Sequence, residues 1–559
     1  MEINRSSHSS ESKNILQSIQ DSSFIAIDTE FTGLHATQND INSLFDTPAQ
    51  RYEKLRRMAM QYTICQLGIS AFVKVPNTNT YEAHTYNFHL FPRSISSVDA
   101  RFTCQASSIE FLCKHNFNFN KLFYEGVSYL TRDEEEELRS QAQTKPVQLA
   151  RYMDEDLQKE AISTVSEWLS EAHAGDELTV GQYEELDGLL LQLVIQDSFP
   201  LLNTCFDATT TRQMKVRVMA TENKEGLEED QVKLGHRVVD KLLGFTEVFR
   251  ALVESKKPII GHNLLTDLML FFQKFHNPLP RSYSTFKIQL NELFPKIYDT
   301  KYLSFEMRRN LIDAGLPVQN TSLGCLLDNL STKEGILIVL HSPHIVHGSG
   351  FDKYVNGGSL HEAGYDAYAA GYVFLRLAHY ITAKDINVMA SRPLDFREYM
   401  WKLKDYVNKI NIIRAAVNHV NLTGTDPQSR RPEWLHVTSK KLSQSLDGVK
   451  LAQVFGAYSS VDVQVIDRRH ALLAVAHFGA YSSVDVQVID RRHALLAVAH
   501  FGGSKDIMRA FKEHDKLSVV KYSPLHHSRR VRIGLWSALL VSGAVCVWAF
   551  FGNQPKPAR

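Results

Sequence analysis

The sequence predicts an α/β fold, and three segments carry that expectation. FIAI, residues 24–27, is a short apolar run rich in β-branched side chains, as in a buried strand, and polar residues begin where it ends. PIIGHNLLTDLMLFFQKF, residues 258–275, starts as a second apolar run and turns at Gly261. It then continues at helical spacing through Leu264, Leu268, Phe271, Phe272 and Phe275. HEAGYDAYAAGYVFLRLAHYI, residues 361–381, opens a long helix whose apolar side includes Ala370, Val373, Phe374, Leu377 and Tyr380.

Each segment also carries acids. On a strand, positions i and i+2 point the same way, so Asp28 and Glu30 present both carboxylates on one face. Asp267 falls in the first turns of the second segment's helix, and Asp366 follows His361 by five residues. Singly, these are ordinary features: a solvated strand end, an acid favoured by the helix dipole, a capping histidine. Together they are a different matter. Four carboxylates brought close would be driven to protonate unless a cation sat among them, and hard oxygen ligands select Mg²⁺ or Mn²⁺ over Zn²⁺. Two such ions suit in-line hydrolysis of a phosphodiester, with His361, whose ordinary pKa lies near neutrality, taking the proton of water.

The segments FIAIDTEFTGL, FTCQASSIEFL, FNFNKLFYEGVSYL, GHNLLTDLML, FPKIYDTKYLS and HEAGYDAYAAGYVF resemble the poly(A)-specific ribonuclease group of DEDDh exonucleases, over residues 15–525. The resemblance implies an RNase H-like nuclease, split between residues 1–145 and 236–400, that removes nucleotides 3′ to 5′ as 5′-mononucleotides. It implies Asp28, Glu30, Asp267 and Asp366 as ligands of two Mg²⁺ ions, which Mn²⁺ can replace, and His361 as general base. Within that group the chain looks closest to the membrane-anchored branch that trims precursors of PIWI-interacting RNA. The implied partners are single-stranded RNA 3′ ends, a PIWI protein on a Tudor-domain adaptor, and a second copy of the chain. An mRNA deadenylase, an inactive membrane-bound RNA scaffold and a proofreading-type DNA exonuclease remain as alternatives.

Residues 146–235 read as an inserted helical subdomain, acidic in its first half; the Arg-x-x-x-His motif that names the related ribonuclease's module is absent. Residues 401–429 read as a helical connector. From 430 to 525 the β-α-β-β-α-β order fits an RNA-recognition-motif fold. HALLAVAHF lacks the Lys/Arg-Gly-Phe pattern that would stack bases, so the domain reads as degenerate. FGAYSSVDVQVIDRRHALLAVAH occurs twice without a difference, at 455–477 and 478–500. Each copy reads as one hairpin, and the extra one either extends the sheet as a meander or loops out. Perfect identity points to a very recent duplication or a sequence-assembly error, with error the favoured reading.

The N-terminal MEINRSSHSSESKN has no signal-peptide pattern. Residues 533–552, IGLWSALLVSGAVCVWAFFG, are uncharged, mainly apolar and long enough to cross a bilayer, with Trp536 and Trp548 towards the ends. The three arginines of HHSRRVR, residues 526–532, place the catalytic region in the cytosol, with only 553–559 beyond the span. The expectation is a tail-anchored protein of the endoplasmic reticulum or mitochondrial outer membrane, with the lipid bilayer as a partner.

With 559 residues, 44% hydrophobic and 22% charged, the chain has room for two or three domains. Its net charge of zero excludes nonspecific nucleic-acid affinity from overall charge, leaving local patches or a partner. Cys65, Cys104, Cys113, Cys205, Cys325 and Cys546 show no CxxC spacing, which argues against a zinc module or disulfide framework.

Overall fold

The computed structural model describes residues 1–37, 40–207, 211–218, 224–337, 339–385, 392–429, 435–440, 451, 454–455, 460–465, 483–490, 493–498, 501–527, 531, 534–535, 537–540 and 542. The chain divides into two units. The first comprises Met1–Ala36, Tyr52–Ile412 and His419–Asp426, and the second comprises Thr37–Arg51, Ile413–Asn418 and Pro427–Arg559.

The first unit begins with β1 (Glu2–Ile3), α1 (Arg5–Asp21), β2 (Phe24–Phe31), β3 (Ile64–Lys74), β4 (Thr80–His89) and α2 (Ala106–Lys114). Residues 146–235 are mixed in structure, which corrects the expectation of a helical insertion. Helix α3 (Glu185–Ser198) is there, but so are β5 (Glu177–Gln182), β6 (Leu202–Phe206) and β7 (Gln213–Val218), paired as an antiparallel sheet in the order β5-β7-β6. The reason is period: Leu202, Thr204 and Phe206 alternate with exposed Asn203 and Cys205, the pattern of a half-buried strand. The subdomain closes its own core, where Leu189, Leu191 and Ile195 of α3 meet Leu202, Met214 and Val216.

The chain returns through β8 (Ile259–Gly261), α4 (Leu265–Phe271), β9 (Ile297–Asp299), α5 (Leu323–Ser331), β10 (His344–His347) and α6 (Ala363–Asp385). The main sheet runs β1-β4-β3-β2-β8-β9, with β10 also on β4. Strand β2 pairs antiparallel with β3 and parallel with β8. Phe24 and Ala26 of β2, Phe72 of β3 and Val373, Phe374 and Leu377 of α6 share one core, so the helical period read from residues 361–381 lands on the sheet. Leu264, Leu268, Phe271, Phe272 and Phe275 are likewise buried, although the last turn, from Phe272 to His276, winds as a π-helix. Residues 401–429 are not a helical connector. After a short helix and a 3₁₀ turn, β11 (Lys409–Asn411) and β12 (His419–Asn421) form a hairpin-like pair with Ile410 and Val420 buried.

In the second unit, β13 (Leu435–Ser439), β14 (Ser460–Val465), β15 (Ser483–Asp490), β16 (His493–Val498) and β17 (Leu517–Lys521) form a sheet in the order β14-β15-β16-β13-β17. Helix α7 (Phe501–Ala510) packs Ile507 against Leu435, Val437 and Leu496. The two repeats pair with each other in parallel register, Ser460 on Ser483 through Val465 on Val488, so their first strands do not form a meander. The second strand of the first copy lies outside the described residues. Leu495 meets Leu44 and Phe45, which belong to the same unit. Arg51 holds that segment: its Nε pairs with Asp46 at 3.0 Å and its Nη1 donates to the Ile413 carbonyl at 2.6 Å.

Among the described residues, no helix is long and apolar enough to cross a membrane. Most of 533–552, the span expected from sequence, lies outside them.

Candidate active site

Asp28 and Glu30 stand on β2, opposite Gly68 and Gln66 of β3. Asp267 sits in the first turn of α4, and Asp366 in the first turn of α6. His361 precedes α6 by two residues, at a positive φ of 69°. All five expected residues belong to the first unit, and the fold draws them together. Glu30, His361 and Asp366 each offer a ligand atom within 4.8 Å of the others'. Asp28 is loaded electrostatically by Asp366, Asp267 and Glu30.

Hydrogen bonds between distant segments hold the elements that carry the acids. The first turn of α6 is held by the Gln66 side chain, which accepts from Ala363 N at 2.9 Å, and by Asn87, which accepts from Gly364 N at 3.1 Å. These side chains of β3 and β4 cap two donors that a helix start leaves unpaired. Close approach needs a residue without Cβ opposite Asp28. A Cβ on Gly68 would lie 1.9 Å from the Ala363 carbonyl oxygen. Asp299, at the end of β9, is buried and accepts from Asn263 N, Leu264 N, Lys301 N, Tyr302 N and Asn411 N, which locks the turn into α4. Thr29 donates its hydroxyl to Asp267 Oδ1 at 2.5 Å, and His361 N donates to Asp366 Oδ2 at 3.0 Å.

The cluster is electrostatically loaded. Removal from water, then repulsion from Asp366, Asp267 and Glu30, pushes Asp28 well above the carboxylate range, and Glu30 rises for the same kinds of reason. Burial lifts Asp267 and Asp366 each to about 7. Asp366 Oδ1 is buried and, among the described residues, has no hydrogen-bond partner. An oxygen in that position, inside a set of carboxylates that resist ionising, fits a divalent cation with hard oxygen ligands. Among the described residues, the group within mutual ligand reach is Glu30, His361 and Asp366, so the histidine joins two of the four acids expected for that role.

Two residues missed in the sequence join the site. The His361 ring lies against His115, with centroids 4.3 Å apart, and against Phe111 edge-on at 4.8 Å. Burial, with the neighbouring His115, lowers the His361 pKa. Phe111 lies on α2 and His115 caps its end, and only their shared helix face could have signalled the pair. A cavity of about 690 Å³ opens beside His361 and Asp366, walled by Leu323, Cys325 and Asp328 of α5. That is room for a nucleotide-sized group.

The CAF1 family ribonuclease profile matches residues 3–374. The pre-piRNA 3′-exonuclease trimmer of Bombyx mori is 31% identical over 568 residues, covering 98% of this chain and 98% of that protein. The human poly(A)-specific ribonuclease PNLDC1 is 30% identical over 536 residues, covering 94% of this chain and 95% of that one. Among solved structures, S. pombe Pop2p in its Mg²⁺- and Mn²⁺-bound form matches at 14% identity and a TM-score of 0.35, covering 73% of this chain and 97% of its own. The chain belongs to the CAF1 family of ribonucleases.

Proposed function

We propose that this ribonuclease shortens single-stranded RNA from its 3′ end, one 5′-mononucleotide at a time, and that its substrates are precursors of PIWI-interacting RNA. The observation that carries the reading is the set of four carboxylates with raised pKa values around the unpartnered Asp366 Oδ1. Asp28, Glu30, Asp267 and Asp366 would hold two Mg²⁺ or Mn²⁺ ions. When bound, such ions activate water and neutralise charge on the phosphodiester.

The chain's own residues do the rest. Thr29 and the backbone of His361 orient Asp267 and Asp366. His361, exposed at the cavity and braced by Phe111 and His115, is placed to accept the proton of the attacking water. The adjoining cavity receives the terminal nucleotide. Substrate class is supported by the name of the Bombyx mori relative, and the name of the human relative supports a second reading, removal of poly(A).

Residues 533–552 are proposed to hold the enzyme on a membrane of the endoplasmic reticulum or mitochondrion with its catalytic unit in the cytosol, where a PIWI protein on a Tudor-domain adaptor would present RNA. Pairing with a second copy belongs to the same proposal. The test uses purified protein with 5′-labelled RNA bearing either a mixed-sequence or a poly(A) 3′ extension, in Mg²⁺ or chelator. A ladder shortening from the 3′ end in Mg²⁺ alone is expected, and equal trimming in chelator would refute the metal site. Preference for the poly(A) extension would favour the deadenylase reading.

A further inference from the structure

Elsewhere in the first unit is a second charged cavity, of about 50 Å³, lined at the start of α1 by Arg5 and His8 and across from it by Arg93. Cations and anions meet there, but they are not matched. Lys241 pairs with Glu185 at 2.7 Å, and Arg212 pairs with Glu184 at 3.0 Å. Those contacts consume both carboxylates that line the cavity. Arg5 donates from Nη2 to the Tyr124 carbonyl at 3.0 Å, a bond that leaves its charge uncompensated. Arg93 makes no hydrogen bond or ion pair among the described residues, and the positive charge of Arg5 bears on it. Asp187 attracts it from beyond ion-pair distance.

His8 supplies an independent observation. It is only 9% exposed, and its Nε2 is buried with no hydrogen-bond partner among the described residues. A buried donor left without an acceptor is costly, and a guanidinium without a counter-charge nearby is more so. The first turn of α1 contains no acidic residue, so the positive end of that helix adds to the same field. Groups that all want a negative acceptor therefore border one small space.

We propose that this cavity binds a single phosphate-type oxyanion, with Arg93, Arg5 and His8 Nε2–H as donors. The class of ligand follows from the donors that border the space. Arginine's planar fork suits such an oxyanion. The phosphate is either free inorganic phosphate or one from the RNA backbone. The proposal does not depend on how the carboxylate cluster works.

Equilibrium dialysis of the full chain in detergent against radiolabelled inorganic phosphate tests it. Chelator is included so that no metal at the carboxylate cluster captures the anion. Saturable binding of about one phosphate per chain is expected, weakened at least tenfold in Arg93→Gln and severalfold in His8→Phe. Circular dichroism checks that each variant is folded; if Arg93→Gln is not, His8→Phe carries the test alone. Release of the label by single-stranded RNA assigns the site to the RNA backbone, and retention assigns it to free phosphate. Absence of saturable binding in the wild-type chain, or unchanged affinity in a folded variant, overturns the proposal.

Discussion

The carboxylate cluster and the small basic cavity lie in the same unit and carry opposite electrostatic imbalances, but they are built differently. Asp28, Glu30, Asp267 and Asp366 project from regular elements, and hydrogen bonds that Gln66, Asn87 and Asp299 accept from backbone N–H groups hold those elements in register. Arg5, His8 and Arg93 come instead from a helix start and a loop, and pairing of Glu184 and Glu185 with other cations leaves them in excess. The first arrangement enforces geometry at the cost of repulsion. The second enforces only charge. Catalysis needs the former, because a reacting phosphate must be aligned, whereas retention of an anion needs little more than unpaired donors.

The largest expected effect comes from breaking the first arrangement. Asp28→Asn removes a ligand from the cation site and should slow hydrolysis of labelled RNA by about 1,000-fold, the equivalent of several kcal/mol, while RNA binding in chelator persists. The same change should stabilise the metal-free protein. A carboxyl whose folded pKa lies above its unfolded value loses stability as pH rises through the interval between the two. The gain in thermal midpoint should therefore be present at pH 8 and absent near pH 3. A variant that trims RNA at the wild-type rate would break the contrast between the two sites.

Gly68→Ala tests alignment without changing charge. Its Cβ would collide with the backbone that starts α6, so Asp366 must move relative to Asp28. A displacement on the order of 1 Å costs about 100-fold in turnover. Single-turnover kinetics with normal folding would show it, and undiminished rates would mean that α6 tolerates the shift. His115→Ala should cost less, about tenfold in kcat with little change in KM, because it removes a brace and leaves the acids alone. If the brace acts by packing, His115→Phe should restore most of that loss; failure to do so would point to a charge role.

Legibility in the sequence follows the same division. The acids could be found because periodicity fixes direction: alternation on FIAIDTE puts Asp28 and Glu30 on one side, and the apolar stripe of 361–381 leaves Asp366 at the helix start. Gly68, Gln66, Asn87 and Asp299 act through register between strands distant in sequence, and no local pattern contains that register. The inserted subdomain reads as helical because LDGLLLQLVIQ does form α3, while the alternation around Thr204 and Val216 is too weak to mark strands. In the repeated segment, a hairpin meander and a parallel pairing use the same alternation, so sequence could not choose between them. The Leu44 and Phe45 side chains against Leu495 are a further contact that only tertiary structure reveals.

The smallest expected effect concerns the basic cavity and is a titration. Burial, helped by the charge of Lys241, lowers the His8 pKa from its ordinary 6.5 to about 4. Its neutral form is therefore favoured in the folded chain, and between pH 6.5 and 4 the unfolded chain binds more protons. Stability from this residue is complete above pH 6.5 and is lost as pH falls through that window. At pH 5 the loss is about 2 kcal/mol. Phosphate in the cavity would favour the charged imidazole and so oppose the loss, which no effect at the carboxylate cluster would mimic in chelator. Thermal midpoints between pH 8 and 5, with and without inorganic phosphate, should show a slope that His8→Gln flattens and phosphate reduces. Parallel curves for wild type and His8→Gln would mean that His8 is not the titrating group, and the electrostatic contrast between the two sites would rest on the arginines alone.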